Sequence, residues 1–176
     1  MASELQRRKI ARVFSAMDAD SDGELTESDF RALTDRWTAL RGAEPGSDAH
    51  ALLTAVMMGW WATLLAAADP DGETVLLQDV LAVAERLSGM SEAVVGTAHA
   101  MFDAVDRDGD GEVSVAEYGE MIEGWTGSTE DVSEIFTQLD ANGDGRLSRE
   151  EFSALWFEFW AGDDAEARGN LVFGRV

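Results

Sequence analysis

Three stretches of the chain set oxygen-bearing side chains at alternate residues. Asp18, Asp20 and Asp22 lead into Gly23, Asp106, Asp108 and Asp110 into Gly111, and Asp140, Asn142 and Asp144 into Gly145. Each stretch continues with a residue that can turn its main-chain carbonyl inward (Glu24, Glu112, Arg146). A hydroxyl follows two places later (Thr26, Ser114, Ser148), and an acid stands at the twelfth place (Asp29, Glu117, Glu151). This set suits the caging of a hard divalent cation. Such an ion takes about six to eight oxygens at ~2.3 to 2.6 Å, and a tight turn delivers them from alternate residues plus one carbonyl. The glycine at the sixth place supplies a backbone conformation that a Cβ penalises. The ninth-place hydroxyl can hold a water, and the twelfth-place acid reaches back from the next helix to close the site.

The composition agrees. Among 176 residues, 35 Asp and Glu outnumber 13 Lys and Arg, a formal charge of -22. So acidic a surface repels phosphate backbones and anionic headgroups, so neither nucleic acid nor a membrane is expected as a partner. With 45% hydrophobic residues the chain can bury a core. There is no cysteine, which excludes disulfides and thiolate chemistry, and two histidines, His50 and His99, are too few for a zinc site. No G-x-S-x-G elbow or Walker loop occurs, and Lys9 is the only lysine, so no enzyme activity is expected. The absence of cysteine and of an apolar leader behind Arg7, Arg8, Lys9 and Arg12 suits a cytoplasmic protein.

Helices must position these loops. Apolar residues recur at i, i+3, i+4 and i+7 in Ile10-Val13-Phe14-Met17, Val80-Val83-Ala84-Leu87, Tyr118-Met121-Ile122-Trp125, Val132-Ile135-Phe136-Leu139 and Phe152-Leu155-Trp156-Phe159. Looser versions run through Phe30-Leu33-Trp37 and Val95-Ala98-Phe102-Val105. Residues 51–68 carry no charge and reach the lower length limit of a membrane span. Acidic flanks without Lys or Arg make them a buried core helix instead. Eight helices with only short extended pieces make the fold class all-α. Gly42, Pro45 and Gly46 mark a loop, with Ser47 or Asp48 placed to cap the next helix. Gly89 and Ser91 suit a helix stop and start that divide the chain into 1–88 and 91–176.

The three loops resemble EF-hand calcium loops. Asp106 and Asp140 lie 34 residues apart, as in an adjacent pair, whereas Asp18 and Asp106 are 88 apart. The first half therefore needs a second loop, and Asp69-Pro70-Asp71-Gly72 holds its remains. With Gly72 at the sixth place, Ala67 falls at the first and one extra residue brings Asp79 to the last, so this hand reads as empty. Pairing at the eighth place predicts Val113 beside Leu147 and Leu25 beside Val75 or its neighbour. Asp29 is one methylene shorter than glutamate, so magnesium should compete most strongly at the first site. Three calcium ions would take the formal charge from -22 to -16, and binding should stabilise the fold.

Four hands, a degenerate second one, a long apolar third helix and the tail Gly169-Asn170-Leu171-Val172-Phe173-Gly174 together resemble calerythrin and the invertebrate sarcoplasmic calcium-binding proteins. That resemblance implies two lobes packed into one globule, a monomer, and an intracellular calcium buffer or transporter. The residues leave two other roles open, a sensor that binds a partner when loaded and a protein whose metals are permanently structural. Scattered methionines and six tryptophans favour a self-filled interior over a methionine-rich target groove. Leu171, Val172 and Phe173 should dock as a plug. Arg7, Arg8, Lys9 and Arg12 read as a solvated face paired with the protein's own carboxylates.

Overall fold

A computed structural model describes residues 2–68 and 71–175. Among these residues the chain forms eight α-helices and four strands of two or three residues. In order they are α1 (Glu4–Met17), β1 (Glu24–Leu25), α2 (Glu27–Arg41), α3 (Asp48–Ala68), β2 (Val75–Leu76), α4 (Leu77–Leu87), α5 (Ser91–Val105), β3 (Glu112–Ser114), α6 (Val115–Thr126), α7 (Ser133–Leu139), β4 (Arg146–Ser148) and α8 (Arg149–Ala161). A 3-10 turn follows over Arg168–Leu171. The all-α class read from periodicity stands. The strands pair antiparallel, β1 with β2 and β3 with β4, and Val113 opposes Leu147 while Leu25 opposes Val75. All four of these side chains are fully buried, so each pair of loops is joined through an apolar contact as well as a two-strand ladder.

The predicted helix faces bury as their spacing requires. Ile10, Val13, Phe14 and Met17 on α1, Tyr118, Met121, Ile122 and Trp125 on α6, and Phe152, Leu155, Trp156 and Phe159 on α8 all enter one continuous core. Helices from the two halves interleave there, α2 packing on α6, α3 on α5 and α4 on α8. Trp60 of α3 lies 5.9, 5.5 and 5.3 Å from the rings of Trp125, Trp156 and Trp160. Gly124 permits the approach of α6 to α2, since a Cβ there would sit 2.6 Å from the Trp37 ring. The tail docks as expected. Val172 and Phe173 are buried, and the Phe173 ring lies 4.6 Å from Phe159 and 5.2 Å from both Trp125 and Trp156. The Tyr118 hydroxyl donates to the Leu171 carbonyl at 3.0 Å, fixing that segment from outside its own turn.

Several expectations need correction. Helix α3 is long and apolar enough to cross a membrane, but it is not buried all round: only 28% of its most apolar 18-residue window is covered. Leu53, Val56, Met57, Trp61 and Leu64 face inward. The opposite face, including Ala51, Ala55, Gly59, Ala62 and Ala66, is exposed. Small side chains make that exposure cheap, because little apolar area is left in water. Ser47 caps this helix by accepting the amide of His50. At the joint between the halves, Ser91 begins α5 and Met90 is its N-cap, with no side-chain cap bond.

Lys9 is the largest departure. Arg7 and Arg8 are exposed, as a solvated face requires, but Lys9 is 0% exposed. Its ammonium donates to the carbonyls of Glu158 and Gly162 at 3.1 Å and to Asn170 Oδ1 at 3.0 Å. Two of those acceptors lie at the C-terminal end of α8: the Glu158 carbonyl also takes the Gly162 amide at 3.1 Å, and the Gly162 carbonyl lies just past the last helical residue. The lysine therefore ties α1 to α8 and the tail. Burial lowers its pKa to about 8, against the opposing pull of Asp163 and Glu158. Unfolded lysine, at its ordinary 10.5, keeps a proton that the folded side chain loses above about 8, so this group makes stability rise with pH across that window. Replacing Lys9 with Met should cost about 1–3 kcal/mol at neutral pH, because the Gly162 carbonyl and the buried Asn170 Oδ1 lose the ammonium donor and the Glu158 carbonyl keeps only the Gly162 amide. Chemical denaturation between pH 7 and 10 should show the rise in the parent protein and not in the variant.

Candidate metal centre

Each acidic loop is wound around its first aspartate. Asp18 accepts the amides of Asp22 at 3.2 Å and Gly23 at 2.9 Å. Asp106 accepts those of Gly109 at 2.8 Å and Gly111 at 3.0 Å, and Asp140 those of Gly143 at 2.8 Å and Gly145 at 2.7 Å. These bonds curl the main chain around one carboxylate. The third- and fifth-place side chains repeat a smaller version: Asp20, Asp108 and Asn142 each accept the amide two residues on, and so do Asp22, Asp110 and Asp144. The sixth-place glycines have φ of +87°, +85° and +81°, the left-handed region the sequence requires of them.

The fourth place escaped the sequence reading. Gly109 and Gly143 have φ of +72° and +74°, whereas the first loop has Ser21 there, at φ +60°. The glycine pair Gly109/Gly143 was a legible signal. Ser21 adopts with a Cβ what the other loops do without one, a conformation that disfavours side chains.

The structure brings carboxylates together at two of the loops. Oxygens of Asp18, Asp20 and Asp22 lie within 4.8 Å of one another, and so do those of Asp106, Asp108 and Glu117. Asp29 is not in the first group. Its oxygens take the amide of Ala19 at 3.0 Å and the amide and hydroxyl of Thr26 at 2.8 and 2.7 Å. Glu117 Oε1 accepts the amide of Arg107 at 2.8 Å, and Oε2 takes the amide and hydroxyl of Ser114, both at 2.8 Å. Glu151 holds Ser148 in the same way, at 3.0 Å. The twelfth-place acid is thus also the capping partner of its helix. Glu24, Glu112 and Arg146 stand on β1, β3 and β4, where they enter the two ladders.

The electrostatics arise from the crowding. Burial pushes the Glu117 carboxyl up, but the hydrogen bonds from Ser114, Arg107 and Asp108 outweigh it and hold it below the usual glutamate range. At Asp20 the Asp22 amide lowers the pKa. Desolvation and the charges of Asp22, Asp29 and Asp18 reverse that, leaving it raised. All-oxygen donors, short of positive charge and gathered by amides into a concave turn, fit a hard dication and give a soft metal no sulfur or nitrogen.

The second loop is different. Asp69 and Pro70 lie outside the described residues. Ala67 is inside α3 and carries only a methyl, so the first oxygen is missing. Asp79 accepts the amide of Leu76 at 2.9 Å, the capping bond its counterparts make.

The chain matches a family model described as an EF-hand domain pair over residues 97–156 and a second described as an EF hand over residues 10–34. It is 33% identical over 150 residues to the probable calcium-binding protein CML16 of Oryza sativa subsp. japonica, covering 84% of this chain and 76% of that one. It is an EF-hand calcium-binding protein. Among solved structures it is similar to a Streptomyces coelicolor calcium-binding protein described in terms of calcium-mediated regulation. That match has a TM-score of 0.71 and 26% identity, over 90% of this chain and 99% of that one. The sarcoplasmic calcium-binding protein of amphioxus superposes with a TM-score of 0.72 at 21% identity over 100% of both chains, so this EF-hand protein shares the sarcoplasmic fold.

Glu117→Gln and Glu151→Gln each remove a closing charge and put an amide where loop amides already donate. Each should weaken calcium binding at its own loop by at least about tenfold, the loss of one charged hydrogen-bonding partner. Asp29→Glu should raise the calcium-over-magnesium preference of the first loop, which competition dialysis would measure.

Proposed function

We propose that this EF-hand protein is a calcium buffer that takes three calcium ions, one at each complete loop, and leaves the second hand empty. The first site would be held by Asp18, Asp20, Asp22, Asp29 and the carbonyl of Glu24. The third would use Asp106, Asp108, Asp110, Glu117 and the carbonyl of Glu112, and the fourth Asp140, Asn142, Asp144, Glu151 and the carbonyl of Arg146. Magnesium would compete most at the first. The reading includes an organisation into lobes 1–88 and 91–176, a monomeric cytoplasmic protein, no catalytic activity, and no nucleic-acid or membrane partner. Its strongest support is the aromatic packing between the halves: Phe173 sits among Trp125, Phe159 and Trp160 of the second half, and Trp60 of the first half packs on the same two tryptophans, where a sensor needs a groove for a target helix.

One observation favours the sensor instead, the similarity to the Streptomyces protein described in terms of calcium-mediated regulation. Calcium-dependent retention on a hydrophobic resin separates the two readings. The buffer predicts the same retention with calcium and with chelator, and the sensor predicts stronger retention with calcium. Calorimetric titration of the chelator-treated protein should give three calcium ions per chain. With millimolar magnesium present the weakening should fall chiefly on one site, the first. A stoichiometry of two or four would overturn the assignment of loops.

A further inference from the structure

We propose that Arg146 sets the calcium affinity of the third-hand loop by keeping a cation on one of that loop's own carboxylates. This rests on the reading that the third loop takes calcium. Arg146 stands at the seventh place of the fourth loop, where only its carbonyl is needed, so its side chain is free for other work. The ladder between β3 and β4 sets Arg146 opposite Ser114, and from there its guanidinium crosses to the neighbouring loop. Nη1 is 2.8 Å from Asp110 Oδ2, and Nε is 3.3 Å from Glu112 Oε2. Asp110 Oδ1 already accepts the amide of Glu112 at 2.9 Å. Both oxygens of this fifth-place carboxylate therefore have donors. The equivalent Asp22 and Asp144 accept the amides of Glu24 and Arg146, and neither pairs with an arginine among the described residues. One residue thus turns its main chain to one loop and its charge to another.

A dication approaching Asp110 meets the fixed positive charge of Arg146 and must share or displace its ion pair. Repulsion across about 6 Å in a water-like medium, with the modest strength of a half-exposed ion pair, amounts to about threefold to tenfold in affinity. The third loop has more ligand carboxylates than the fourth, and this arginine offsets that advantage.

The test is a calcium titration followed by the amide resonances of Gly111 and Gly145, which donate to Asp106 and Asp140 and so report the two loops separately. Arg146→Gln is compared with Arg149→Gln. Arg149 pairs with Asp103 at 2.6 Å and lies over the Phe102 ring, so its loss removes the same charge without freeing a loop carboxylate. The half-saturation concentration at Gly111 should fall about threefold to tenfold in Arg146→Gln and less than about twofold in Arg149→Gln. Arg146→Lys, which keeps the charge, should stay near the parent. An unmoved Gly111 midpoint in Arg146→Gln, or equal shifts in the two glutamine variants, overturns the inference alone. A Gly111 resonance that ignores calcium in the parent overturns the calcium reading of that loop and the inference with it.

Discussion

Mutual repulsion among loop carboxylates is the constraint on which this fold turns. Each first-place aspartate uses two main-chain amides to bend the loop, and at the first and third loops carboxylate oxygens come within 4.8 Å of one another. Amide donors relieve part of this, enough to hold Glu117 low but not Asp20. The remainder is stored as an electrostatic demand for a cation. The helices serve that arrangement: each twelfth-place acid is at once a cap for the exiting helix and a wall of the loop, so helix orientation and loop charge cannot be changed separately.

The pairing of loops extends the constraint. Val113 against Leu147 and Leu25 against Val75 bury the ladders that join neighbouring loops, which gives the second loop a structural role. Without it, the Leu25 side chain would face water and the first loop would lose its partner strand. Beyond the loops, the interior is filled from both halves, with Trp60 from one side and Phe173 from the tail meeting the tryptophans of α6 and α8. Charge is concentrated in the loops and at the surface while aromatic area lies inside, and Lys9 crosses between these zones.

Most of the fold was legible because two independent periodicities coincide. The alternate-residue pattern of acids and the 3.6-residue pattern of apolar residues each fix the other's boundaries, so α1, α6 and α8 and the eighth-place contacts could be named from spacing. The exceptions share a cause. Lys9 lies on the core side of α1, four residues before Val13, but charge alone suggests solvent, and only the carbonyls at the distant end of α8 explain its burial. The outward face of α3 was hidden because alanine is compatible with either environment. Ser21 breaks a pattern that Gly109 and Gly143 display. The reach of Arg146 to Asp110 depends on strand register, which loop spacing does not encode.

The central claim is that a dication relieves the charge gathered in these loops. Thermal unfolding of chelator-treated protein at a series of free calcium concentrations, at fixed ionic strength, tests it most directly. The account predicts a midpoint that climbs steadily with calcium, each filled loop adding about 2.7 kcal/mol when free calcium reaches a hundred times its dissociation constant. A midpoint that stays level through millimolar calcium would contradict it.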